Sequence, residues 1–166
     1  VATQPSGCAE DAGELSKHST EVGNVLAQVL EDTWPEVVSP ALGESRRAVK
    51  ALLAATGAWT AALEAGDEGT TEREAAQGAW RVAMGSWQRM ELMQLGPAGA
   101  SLTTVGGQDL RDEIYSWPTT NPCRVDQETA EEDWGSSDFF ELNLVNITGL
   151  DAMEVLLFGS LIDNAC

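Results

Sequence analysis

The residues Ala76, Ala79, Trp80, Ala83, Met84, Trp87 and Met90 recur at three- and four-residue intervals, and this spacing constrains the chain more than any other feature. Only an α-helix puts positions at that spacing on one face. A bulky tryptophan and methionine stripe alternating with alanine then demands partner helices that cover it. Thr71 and Glu74 have capping-box spacing at its start, and Gly96-Pro97 stops it, so the spacing predicts a helix over about 72–95. Alternation at period two is sustained nowhere, which excludes a sheet protein. The expected fold is all-α, an up-and-down helical bundle.

The rest of the chain follows the same period. Asp11 and Glu14 open a helix whose face carries Leu15, His18, Val22, Val25, Leu26, Val29 and Leu30 to about Thr33. Trp34-Pro35 and Ser39-Pro40 interrupt or kink it, and Ser39 as N-cap with Pro40 at the first helical position restarts it. Leu42, Val49, Leu52, Leu53, Trp59 and Leu63 form the next stripe, ending near Gly66. Short helices are expected over about 108–116, 124–134 and 138–145. Thr148 then caps a final helix, in which Leu150, Glu154, Leu157, Phe158 and Leu161 share a face. Residues 1–11 read as a flexible leader, and residues 12–166 as one helical domain.

Charge and cysteine content narrow the function classes. Of 166 residues, 27 are acidic and 9 basic, a net charge of −18. Such a surface repels nucleic acid and anionic lipid; it favours cations and basic proteins as partners, or, as the simpler reading, serves only solubility. No apolar run reaches the roughly 18 residues that a membrane span needs. Cys123 and Cys166, if paired, close a loop of roughly 44 residues, worth ~4 kcal/mol in the chain-entropy picture. That pairing places the protein outside the cytoplasm. Cys8 is left over.

Two carboxylates fall on apolar faces, and these are the candidate functional groups. Glu154 sits mid-stripe in the last helix. Glu91, eleven residues after Trp80, lies within about 20° of it around the helix axis. Each must meet a donor, a metal ion or a shifted pKa, because an unanswered buried charge costs several kcal/mol. Asp151, one turn before Glu154, can supply a third oxygen ligand, or cap its own helix from the Thr148-x-x-Asp151 box. His18 can add a nitrogen, or simply sit satisfied on its helix. Such a set suits iron, manganese or another divalent ion. Alternatively, Glu91 and Glu154 accept hydrogen bonds from tryptophan indoles, Tyr115, Arg81, Arg89 or Arg124. A Ser or Cys nucleophile with a histidine base is not assembled by any spacing here.

These landmarks resemble one family. Ala75-Ala76-Gln77-Gly78-Ala79-Trp80, Trp87, Glu91 and Gly96-Pro97 are similar to the central helix of the imelysins. Trp117-Pro118 and Gly149-x-x-x-x-Glu154-x-Leu156-Leu157-Phe158-Gly159 resemble its next landmarks, and Val37-Val38-Ser39-Pro40 an early one. The resemblance implies an all-α fold of two related bundles, export to the periplasm or bacterial surface, and a link to iron uptake or metal binding. A peptidase label also attaches to the family. Asp151 stands where the family signature Gly-x-His-x-x-Glu has histidine, which weakens both the metal and the peptidase reading. By this resemblance the chain looks like the N-terminal half of the two-bundle fold, with the other half absent, cleaved off or held as another chain, the last making it a candidate partner. The resulting expectation is a non-catalytic, exported binding protein linked to iron or metal uptake, with a metal-free interaction module as the alternative and a peptidase as the weakest reading.

Overall fold

The computed structural model describes residues 7–94, 96–132, 134–160, 163, 165 and 166, with side chains from Glu14 onward except Leu15 and Ser16. Among these residues every regular element is helical. The chain forms two compact units, Val1–Pro40 and Ala41–Cys166.

The first unit is built on one long helix, α1 (Gly7–Thr33). It starts inside the stretch expected to be a leader; residues 1–6, the side chain of Cys8 and that of Leu15 lie outside the described residues. The expected apolar stripe is present but is not buried. Val22, Val25, Leu26, Val29 and Leu30 are 53–66% exposed. Helical spacing aligns apolar residues without saying what covers them. At Trp34-Pro35 the helix does not break. Proline lacks the N–H for an ordinary helical bond, and the backbone widens into a π-helical turn over Trp34–Val38. Ser39 donates its N–H to the Trp34 carbonyl and already has helical dihedrals, so it is not the non-helical cap expected of it.

In the second unit, α2 (Ser39–Glu64) and α3 (Thr70–Glu91) supply most of the core. Ala48 and Leu52 of α2 pack with Ala76, Trp80, Ala83, Met84 and Trp87 of α3, and with Leu150 and Leu157 further on. The α3 face is the one that the spacing predicts. The α2 face is met in part: Leu52 and Trp59 make the contact as expected, joined by Ala48 and Ala55, whereas Leu42, Val49, Leu53 and Leu63 remain exposed. Alanines at the seam let the helices approach a partner rich in tryptophan. The expected capping box does not form. Gly69, in the left-handed region, precedes α3, and its N–H is taken by Asp67 Oδ1 at 3.0 Å. The left-handed turn aims Gly69, not Thr71, at the cap position.

The connection after α3 carries three short helices. These are α4 (Arg111–Ile114), α5 (Pro122–Glu131) and α6 (Phe139–Leu142), each shorter than its sequence pattern suggests. Asn121 caps α5, its side chain accepting the Arg124 N–H at 3.1 Å, with Pro122 in the first turn. Arg124 then pairs with buried Glu128 one turn on.

All of this closes on α7 (Gly149–Phe158). Trp80 Nε1 donates to the Leu150 carbonyl at 2.8 Å. Arg73 and Gln77 donate to the Leu157 carbonyl at 3.0 and 2.8 Å, and Arg73 also to Gly159 at 2.7 Å. The last carbonyls of α7 have no partners within the helix, so α3 caps α7 from the side. Val125 of α5 and Ile147 pack on Ala152 and Val155, on another side of α7. Gly149 begins the helix at φ 73°, and a Cβ there would stand 2.6 Å from the Ile114 carbonyl oxygen of α4. Cys123 and Cys166 form a disulfide with Cα atoms 4.7 Å apart, as the sequence reading expects.

Two stability measurements follow. Replacing Cys123 and Cys166 by serine removes a crosslink between positions 43 residues apart, worth ~4 kcal/mol, so thermal unfolding should fall by roughly 10 °C. An unchanged melting temperature in non-reducing buffer contradicts this role. Gly149→Ala combines a left-handed backbone cost of about 1–2 kcal/mol with the clash against α4. Urea unfolding should show a loss larger than that backbone cost alone, whereas Gly85→Ala, with open space at its Cβ, should lose nothing.

Candidate functional site

The site grows from the first turn of α7 and the loop Ser116–Thr120 that lies over it. Thr119 folds this loop back, donating both its N–H and its hydroxyl to the Ser116 carbonyl at 3.0 and 2.6 Å. The Trp117-Pro118 peptide within it is cis. The fold-back brings two hydroxyls onto one carboxylate. Ser116 Oγ and Thr120 Oγ1 donate to Asp151 Oδ2 at 2.5 and 3.1 Å. Asp151 is 1% exposed, and its Oδ1 has no hydrogen-bond partner among the described residues. The most deeply buried carboxylate is therefore Asp151, not Glu154. It does not cap its helix either: the cap position, Thr148, has no side-chain cap bond, and Asp151 faces the loop.

Glu154, one turn on, is half-buried. Burial pushes its carboxyl above the ordinary value, and the neighbouring Asp151 charge pushes in the same direction. Tyr115 registers the whole group. Its phenol is raised by burial first, then by Glu154, Asp151 and Glu91 in turn. Three of the four carboxylate and imidazole candidates thus lie within electrostatic reach of one phenol.

Their states differ. Glu91 is answered by Arg111, whose Nε and Nη2 donate to Oε1 at 2.7 and 2.5 Å. This is an arginine that helical spacing did not suggest, because it arrives from α4 through the tertiary fold. The arginines expected for Glu91 or Glu154 are engaged elsewhere. Arg89 pairs with Glu44 at 2.6 Å, Arg124 with Glu128, and Arg81 lies over the Phe158 ring at 4.8 Å. His18 belongs to the other unit and is exposed.

A cleft of about 890 Å³ opens beside α7. Asp126, Asp151, Glu154 and Asp163 line it, together with Trp117 and Phe158, and no lysine or arginine stands among its described lining residues. Asp126 and Asp163 join the site only through the fold. Asp126 Oδ2 accepts the Ala165 N–H at 2.5 Å, which draws the chain around Cys166 against α5. Ser116, Thr120 and Arg111 also went unread. The run Ser116-Trp117-Pro118-Thr119-Thr120, three hydroxyl residues about a Trp-Pro turn, is the sequence signal for this loop.

Whether a metal fits can be tested on the donors. Among the described residues no three His, Cys, Asp or Glu side chains are grouped so as to hold a metal ion. Glu91 is held by arginine, one Asp151 oxygen by two hydroxyls, and the family histidine is absent. A hard cation wants six or more oxygens converging at about 2.0–2.6 Å, and these residues do not fit that demand.

With fold and site in view, the imelysin family profile matches residues 38–164. The chain belongs to the imelysin family. The match begins at Val38, so α1 lies before it. Neither a curated protein nor a solved structure matches the chain significantly. No helix among the described residues is long and apolar enough to cross a membrane.

Glu154 makes the stability of the fold depend on pH with a definite sign. Its folded pKa is raised above the ordinary 4.5, so its contribution is fully present below that value and is lost as pH rises through the folded pKa. Glu154→Gln should therefore be neutral in stability near pH 4 and stabilising near pH 7, with urea midpoints at the two pH values as the measurement. A larger stabilisation at pH 4 than at pH 7 contradicts the assignment.

Proposed function

We propose that this protein is a non-catalytic binding protein acting outside the cytoplasm, in the periplasm or at the bacterial surface, and that its ligand is a cation held in the cleft over Asp151 and Glu154. The observation that carries this is the state of Asp151. It is a buried carboxylate with two hydroxyl donors, an unclaimed oxygen and a second carboxylate one turn away. Hydroxyls stabilise its charge without cancelling it, and no lysine or arginine among the described lining residues does so. A cation entering the cleft gains from both charges in a partly dry setting, where Coulomb attraction is several-fold stronger than in water. The net charge of −18 adds long-range attraction.

The disulfide between Cys123 and Cys166 agrees with an oxidising compartment. A peptidase reading draws no support from the site. The Ser116 hydroxyl points its proton at Asp151 rather than outward, and the charged side chains of the cleft are all acids. They are suited to hold positive charge rather than to activate a nucleophile at neutral pH.

Isothermal titration tests the reading with manganese, calcium, iron(III) and small organic amines against the wild type, Asp151→Asn and Glu154→Gln. At least one cation should bind the wild type, and each variant should weaken it tenfold or more. Binding should fall with pH, because the raised carboxyl of Glu154 takes up a proton in competition with the ligand. Silence toward every cation, or variants that bind as the wild type does, overturns the proposal.

A further inference from the structure

The cleft differs from an ion-binding cage in what surrounds its charges. Its carboxylates are dispersed, with no chelating group of three among the described residues. The space between them is apolar and aromatic, with Trp117 and Phe158 on its walls. Trp117 is 65% exposed, an unusual cost for an indole in a chain that could bury it. Phe158 already carries a guanidinium: Arg81 lies over its ring at 4.8 Å. So one of the two rings is shown accepting an organic cation in this protein, and the other, largely exposed, lines the same cleft as Glu154.

From these features, and resting on the proposed cation-binding function, we infer that the cleft takes an organic cation: a guanidinium or ammonium group on an apolar stem. The charged head meets Glu154, with the buried Asp151 behind it supplying a charge that its hydroxyl partners leave in place. The stem lies against Trp117, where cation–π attraction and burial of methylenes act together. An organic cation needs only one or two carboxylates, because its N–H groups are directional and its remaining hydration is easily replaced. A bare metal ion would need its oxygen shell rebuilt by residues that do not converge. The missing histidine then has a physical reading. Aspartate at position 151 removes a nitrogen ligand and puts a carboxyl in its place, which suits an organic cation better than a coordinated metal.

The same chemistry can come from an arginine or lysine side chain of a partner protein, or from a free polyamine, and the experiment separates them. Titrations use the intact, disulfide-bonded protein. The probes are an acetylated Ala-Arg-Ala amide, its neutral citrulline counterpart, spermidine, manganese and calcium, each against the wild type, Glu154→Gln and Trp117→Ala. Trp117 is exposed, so its replacement leaves the fold in place, as circular dichroism will verify. The arginine peptide should bind and the citrulline peptide should not. Glu154→Gln should weaken binding tenfold or more, and Trp117→Ala by roughly three- to tenfold. Spermidine binding more tightly than the peptide, with the same sensitivity to both variants, supports the inference and assigns a free polyamine as the source. The reverse order supports it and assigns a protein side chain. Manganese or calcium binding without either organic cation overturns this inference and leaves the cation-binding cleft standing. No binding by any probe overturns both. Arginine-peptide binding unchanged in both variants is attraction to the acidic surface at large, and it overturns the inference.

Discussion

A carboxylate at 1% exposure is the constraint around which the second unit is arranged. Asp151 could be buried as a neutral acid or as a charge met by arginine, yet it is met by two hydroxyls from a loop. Hydroxyls donate only when that loop is folded back on itself, which is the task of Thr119. The loop in turn must start close to α7, and Gly149 allows this by letting the α4 carbonyls approach where a side chain would stand. α3 holds the other end of α7 through Arg73 and Gln77. Removing either hydroxyl leaves the buried carboxyl of Asp151 with fewer donors, which is more costly than the loss of a single contact.

The two carboxylates first singled out by spacing diverge because of what the fold brings to each. Glu91 receives a bidentate-like arginine at 2.5 and 2.7 Å and becomes part of the scaffold. Glu154 has no ion pair among the described residues, stays half-buried, and is left with its charge disfavoured by burial and by Asp151. The helix spacing could place both on apolar faces. It could not distinguish a carboxylate held in a salt bridge from one with no ion pair among the described residues.

The exposed stripe of α1 makes a related point in the first unit. Val22, Val25, Leu26, Val29 and Leu30 have the period of a buried face, and they are exposed. Helical wheels encode what can be covered together, and covering depends on residues far away in the chain. The α2 face shows the milder version. The leucines were the obvious stripe, but small alanines at Ala48 and Ala55 flank the actual seam, since α3 brings tryptophans that need room.

What the sequence by itself determined is therefore local and periodic. It specified an all-α chain, the buried face of α3, the start of α7 at Gly149, the pairing of Cys123 with Cys166, and the imelysin landmarks. Each follows from spacing, turn chemistry or a residue type with few alternatives. The tertiary structure alone decided that Asp151 is buried, that Glu91 is paired by Arg111, and that Asp126, Asp163 and Trp117 share a cleft with Asp151 and Glu154. Burial and pairing are set by contacts between residues distant in the chain, as from Ser116 to Asp151 or from Ala165 to Asp126. No helical period carries that information, because a period orders residues along one element and says nothing of what the next element brings.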